Sequence, residues 1–114
     1  MSKFHSKPTT LDGYRFDSMA EARRYGELKL LLMADVINHL EIHPEFMITV
    51  SPRDGKPDVL IGEYHADFQY WDNEKRKFII EDVKGGNATK TEAYKLRKKL
   101  VEAIYGVEIM EVQA

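Results

Sequence analysis

Between Lys77 and Val112 the apolar pattern changes period twice, and this alternation constrains the fold more than any other feature of the chain. Residues 77–84 (KFIIEDVK) read as a strand, and Gly85 and Gly86 interrupt it. From about Lys90 to Tyr105 the apolar positions Ala93, Leu96, Leu100, Ala103 and Ile104 follow helical spacing, and Gly106 supplies a stop. Val107 to Val112 returns to strand. A crossover of this kind is almost always right-handed, so the last strand is predicted to lie parallel to a neighbour.

Upstream, Ser18 to Asp35 reads as a helix with Tyr25, Leu28, Leu31 and Leu32 on one face. Ser18 is a suitable N-cap, and Glu21 three residues on completes a capping box. Tyr14–Phe16 reads as a short entry strand. Strands are also predicted at Glu45–Val50, at Glu63–Trp71 and at Lys77–Lys84, the last two joined by the polar turn 72–76. The predicted fold is α/β (α+β) in the order α-β-β-β-α-β, a mixed sheet flanked by helices. Residues 1–12 are polar and aperiodic and are predicted to form a mobile arm. Residues 13–114 then form one domain, as a chain of 114 residues without repeats should.

The absence of cysteine excludes disulfides, thiolate metal sites and cysteine nucleophiles, so any metal must take oxygen or imidazole ligands. No run approaches the roughly 18 apolar residues of a membrane span, and the first residues lack the apolar core of a signal peptide. A soluble cytoplasmic protein without membrane contact is expected. The net charge of −2 argues against holding nucleic acid by bulk charge. Yet residues 84–99 carry six basic residues against the single Glu92, which points to a local phosphate contact. Lys95, Lys98 and Lys99 are the candidates.

Folding the strands around residues 72–76 back on one another brings Asp67 opposite Asp82. Alternation puts Asp82 and Lys84 on one face, with Glu81 and Val83 on the other. A slip of one residue would exchange Asp82 for Glu81. Two carboxylates facing each other are destabilising unless something joins them, and a divalent cation with oxygen preference, Mg²⁺ or Mn²⁺, would do so. With Lys84 beside them, the three residues suit phosphodiester hydrolysis.

The runs 64–70 (YHADFQY) and 80–85 (IEDVKG), in this element order, resemble the PD-(D/E)XK nuclease superfamily. A closer similarity is to small phage-encoded nuclease-like proteins whose first helix begins Phe-x-Ser-x-x-Glu, here Phe16 to Glu21. The resemblance implies a restriction-endonuclease-like core, Asp67 and Asp82 as metal ligands, Lys84 as the catalytic lysine, and Glu21 as a further ligand. It also implies the cytoplasm of a host cell if the chain is phage-encoded. Ala66 stands where the family's proline would be; the literal Pro57–Asp58 pair lies too far back to oppose Asp82.

Glu21 serves equally as a capping-box residue, and both readings stand. Glu81 is read as structural or as a salt-bridge partner. His5, His39, His43 and His65 show no metal-ligand spacing and are left out of the core site. The chain is thus expected to be an Mg²⁺- or Mn²⁺-dependent DNA endonuclease, with branched DNA as one substrate. A homodimer is expected because cutting two strands needs two sites. The alternatives are a non-catalytic DNA-binding or assembly module and an RNA nuclease.

Overall fold

The computed structural model describes residues 8–84 and 90–113. In chain order the elements are β1 (Thr9–Leu11), β2 (Tyr14–Phe16), α1 (Met19–Met33), β3 (Ile37–Ile42), β4 (Glu45–Val50), β5 (Val59–His65), β6 (Phe68–Asp72), β7 (Lys77–Lys84), α2 (Glu92–Tyr105) and β8 (Ile109–Gln113). The fold is mixed α+β. Its main sheet has the order β3-β6-β7-β8, antiparallel except for the β7–β8 pair, which is parallel as the crossover requires. The hairpins β1–β2 and β4–β5 form separate ladders.

Alternation along β7 divides the core into two layers. Ile79 packs with Phe16, Ala22, Tyr25, Leu28, Ile37, Phe68 and Tyr70 on the α1 side, with Val83 at its margin. Ile80 packs with Val101, Ile109, Phe46, Ile48, Tyr64 and Ala66 on the α2 side. Each such large apolar side chain stabilises the fold by roughly 1.5–3 kcal/mol on full burial. Helix α1 starts at Ser18, whose hydroxyl accepts from the Glu21 N–H at 3.2 Å. Helix α2 starts at Thr91, whose hydroxyl accepts from the Tyr94 N–H at 3.1 Å, and stops at Gly106 in the left-handed region, φ 65°. None of the helices among the described residues is long and apolar enough to cross a membrane.

The architecture corrects four predictions. Strand β3 was not anticipated, because His39 takes a left-handed φ of 55° and the β3–β6 register shifts between Asn38 and Glu41, which breaks the alternation that marks a strand. The predicted strand 63–71 is two strands, and β4 pairs with β5 outside the main sheet, so the first sheet strand after α1 is β3. The arm predicted over 1–12 is ordered from Thr9, where β1 pairs with β2; residues 1–7, like the break predicted at 85–87, lie outside the described residues. Finally, α2 turns Val101 inward with Tyr94 and Leu100 half-buried, while Leu96 and Ile104 of the predicted apolar stripe are exposed.

The same alternation sends Glu81 into the α1 layer, fully buried. Arg24 donates from Nε to Oε1 at 2.8 Å and from Nη2 to Oε2 at 2.7 Å, and the Tyr70 hydroxyl donates to Oε2 at 2.5 Å. Glu81 is therefore a structural ion-pair partner. Arg24→Ala would leave this carboxylate buried without its cation and is expected to lower stability by about 3–5 kcal/mol. Glu27→Ala, which breaks only the exposed pair at 2.8 Å from Arg24, is expected to cost less than about 1 kcal/mol. Urea denaturation of the two variants separates these outcomes.

Candidate active site

Asp67 occupies the junction between β5 and β6, and the backbone fixes it from three directions. Its N–H donates to the Glu81 carbonyl at 3.0 Å, its carbonyl accepts from the His43 N–H at 2.9 Å, and its Oδ2 accepts from the Val83 N–H at 2.6 Å. The β6–β7 ladder ends at Phe68 opposite Glu81, and the bonds of Asp67 to Glu81 and Val83 bracket Asp82 on β7. Asp82 is buried and lies on the α2 face of β7, where its Oδ2 accepts from the Tyr94 hydroxyl at 3.1 Å. Lys84 follows on that face, with Nζ 3.9 Å from the centroid of the Tyr94 ring.

Glu21 reaches this junction from the first turn of α1. Burial, followed by the nearby charges of Asp67 and Asp17, pushes its carboxyl up to about 7. Burial also raises Asp67, although the Val83 N–H, His43 and Lys84 pull the other way. Asp82 is likewise raised by burial against the pull of Lys84 and Tyr94. Glu21 and Asp67 thus line one cleft and feel the other charges of the cluster, while Asp82 is turned to Tyr94. Among the described residues, no three His, Asp or Glu side chains already stand as a metal-ligand set.

Asp82 has a second acidic neighbour, since Glu111 on β8 is its partner in the parallel ladder. The Tyr94 hydroxyl lies between them, 3.0 Å from Glu111 Oε2. Lys90 at 2.5 Å and Lys98 at 3.6 Å surround Glu111. The hydrogen bond from Lys90, above the other causes, brings its carboxyl down to about 2. Lys98 is therefore turned inward as a partner of Glu111. Lys95, paired with Glu92 at 3.3 Å, and Lys99 remain exposed on α2, as does Arg97.

A cleft of about 460 Å³ opens beside Glu21 and Asp67, lined also by Arg15, Asp17, His43, His65 and Ala66. Sequence reasoning did not place Arg15 and His43 at this cleft, because their neighbourhood exists only once β2 and β3 are packed. The ring and hydroxyl of Tyr94, which was not among the candidates, hold two of the candidate residues, Lys84 and Asp82. His65 lines the cleft but is bonded to Glu63 at 2.9 Å.

The sequence profile of a family described as a protein of unknown function (DUF1064) matches residues 1–112, and the chain belongs to that family. No curated protein and no solved structure matches it.

The raised Glu21 carboxyl makes the metal-free fold sensitive to alkali. Because the folded form holds its proton up to about pH 7, its contribution is complete below the unfolded carboxyl's pKa and is lost as pH rises through 7. Urea denaturation in chelator is expected to show about 2 kcal/mol less stability at pH 8 than at pH 5 from this group. Glu21→Gln is expected to flatten that dependence; an unchanged slope would show that the carboxyl is ionised throughout.

Proposed function

We propose that this member of the DUF1064 family is a divalent-metal-dependent endodeoxyribonuclease of the PD-(D/E)XK kind. The observation that carries this reading is the anchoring of Asp67 against β7, its N–H on the Glu81 carbonyl and its Oδ2 on the Val83 N–H, on either side of Asp82, with Lys84 two residues on. Counting only the main sheet and the helices beside it, the chain runs α1, β3, β6, β7, α2, β8. That succession supports a restriction-endonuclease-like core, with β4–β5 as an inserted hairpin.

The donor set suits a hard cation. Glu21 and Asp67 bring two carboxyl groups to one partly buried cleft, an arrangement that like charges oppose and a cation would stabilise. Glu21, Asp67 and Asp82 would hold Mg²⁺ or Mn²⁺, which when bound polarises a phosphate oxygen and lowers the pKa of a water. The Lys84 ammonium stabilises the negative charge that grows on the phosphate as water oxygen bonds to phosphorus and the bond to the leaving oxygen breaks. Lys95 and Lys99 give the exposed face of α2 the charge to bear a DNA backbone without reading sequence. A homodimer in the cytoplasm would supply the second site needed to cut both strands.

A non-catalytic DNA-binding module is the second reading, favoured by one observation: Asp82 is engaged by Tyr94 rather than poised with Glu21 and Asp67. Cleavage of linear duplex, single-stranded and four-way-junction DNA, with RNA alongside, separates the two. With Mg²⁺ or Mn²⁺ the wild type is expected to cut DNA, Lys84→Ala to lose roughly 10²–10³-fold in rate, and Asp67→Ala with Asp82→Ala to bind without cutting. Binding with no cleavage by the wild type under any of these conditions would favour the module.

A further inference from the structure

The turn between β3 and β4 delivers a side chain to the carboxylate pair that neither helix nor sheet supplies. His43 takes a left-handed φ of 56°, a region where histidine is enriched but still uncommon. Its backbone is clamped to the Asp67 junction on both sides. The His43 N–H donates to the Asp67 carbonyl at 2.9 Å, and the Pro44 carbonyl accepts from the Ala66 N–H at 3.1 Å. The imidazole packs against Phe16, ring centroids 5.7 Å apart, and Phe16 is itself fully buried. These contacts aim Nε2 at Glu21 Oε1, 3.6 Å away, in the cleft that Asp67 also lines.

The 3.6 Å separation is informative. It is too long for a good N–H···O hydrogen bond, whose usual range ends near roughly 3.2 Å. Two donors bound to one ion at about 2.1 Å each stand roughly 3.0–3.5 Å apart, so a small closure of this gap would seat both on a single cation. Glu21 and Asp67 contribute carboxylate oxygen, which Mg²⁺ and Mn²⁺ both accept, whereas an imidazole nitrogen favours transition ions over Mg²⁺.

Resting on the cation site of the proposed function, we propose that His43 is its nitrogen ligand, with Glu21 and Asp67, and that the site selects first-row transition ions over Mg²⁺. His65 lines the same cleft but is committed to Glu63 and Glu45 at 2.9 and 3.9 Å, so it is the natural control.

The test uses Mn²⁺ as the probe and does not depend on cleavage. Pulsed electron paramagnetic resonance of Mn²⁺ bound to the untagged full chain is expected to show a nitrogen coupling. The coupling should change when the histidines carry ¹⁵N, persist in His65→Ala and vanish in His43→Asn. Asparagine tolerates the left-handed backbone, so that variant should keep the fold, which circular dichroism checks. In titrations, His43→Asn is expected to weaken Mn²⁺ binding at least about tenfold while changing Mg²⁺ binding less than about twofold. Mn²⁺ bound tightly by the wild type without nitrogen coupling, or lost equally with Mg²⁺ in His43→Asn, would overturn the role of His43 and leave the cation site standing. No Mn²⁺ or Mg²⁺ binding by the wild type would overturn both.

Discussion

The buried pair of Glu81 and Arg24 decides which acidic residue of β7 reaches the site. A strand with Glu81 and Asp82 side by side offers two registers that differ by one residue, and each would present a different carboxylate beside Asp67. Two charge-assisted bonds from Arg24 and one from Tyr70 hold Glu81 in the α1 layer. A slip would bury Asp82 there, with a shorter side chain that would not meet the same donors. The ion pair thus acts as a registry device, the best-attested use of buried charge. With Glu81 fixed, alternation leaves Asp82 and Lys84 on the α2 face, and the Asp67 contacts to Glu81 and Val83 close the junction around them.

What the sequence made legible follows the same physics. The polar turn 72–76 placed the hairpin but left a slip of one residue open; in the structure the turn is stabilised locally, Asp72 Oδ1 accepting from the N–H groups of Glu74 and Lys75, both at 2.9 Å. Both helices were readable from their caps. Strand β3 was hidden by the left-handed His39, and with it went His43, whose neighbourhood exists only once β3 lies beside β6. Choosing between Glu81 and Asp82 needed Arg24, which is 57 residues away and gave no sign in the sequence of facing inward. The α2 face was misread because Leu96 and Ile104 look like core, while Tyr94 and Lys98, polar by composition, lie nearer the sheet as partners of Asp82 and Glu111.

That inversion gives α2 a second task besides covering the sheet. Asp82 and Glu111 face each other across a parallel ladder, and like charges so placed are destabilising. Tyr94 divides one hydroxyl between them, and Lys90 and Lys98 neutralise Glu111. The ring of Tyr94 lies at the same time beneath Lys84. One residue of the basic helix therefore touches both an acid and the lysine of the candidate site, so a displacement of α2 would be felt by both together. The charged outer face of that helix is mechanically joined to Asp82 and Lys84 at its inner face.

The cluster also explains why an arrangement that opposes its own folding can persist. Glu21 comes from α1, His43 from the turn after β3, Asp67 from the β5–β6 junction, and Asp82 and Lys84 from the end of β7. Most of these positions are held by bonds that do not involve the clustered carboxyl groups: Ser18 caps α1, the His43 N–H bonds the Asp67 carbonyl, and Glu81 locks β7, while the Asp67 carboxyl itself accepts from the Val83 N–H. The carboxylates are consequently close because the frame places them so, against their mutual repulsion. In the metal-free fold a proton on Glu21 relieves that repulsion, since burial and Asp67 push its carboxyl up to about 7. A site whose charges are held together largely by a frame outside them gains free energy on binding a ligand of opposite charge.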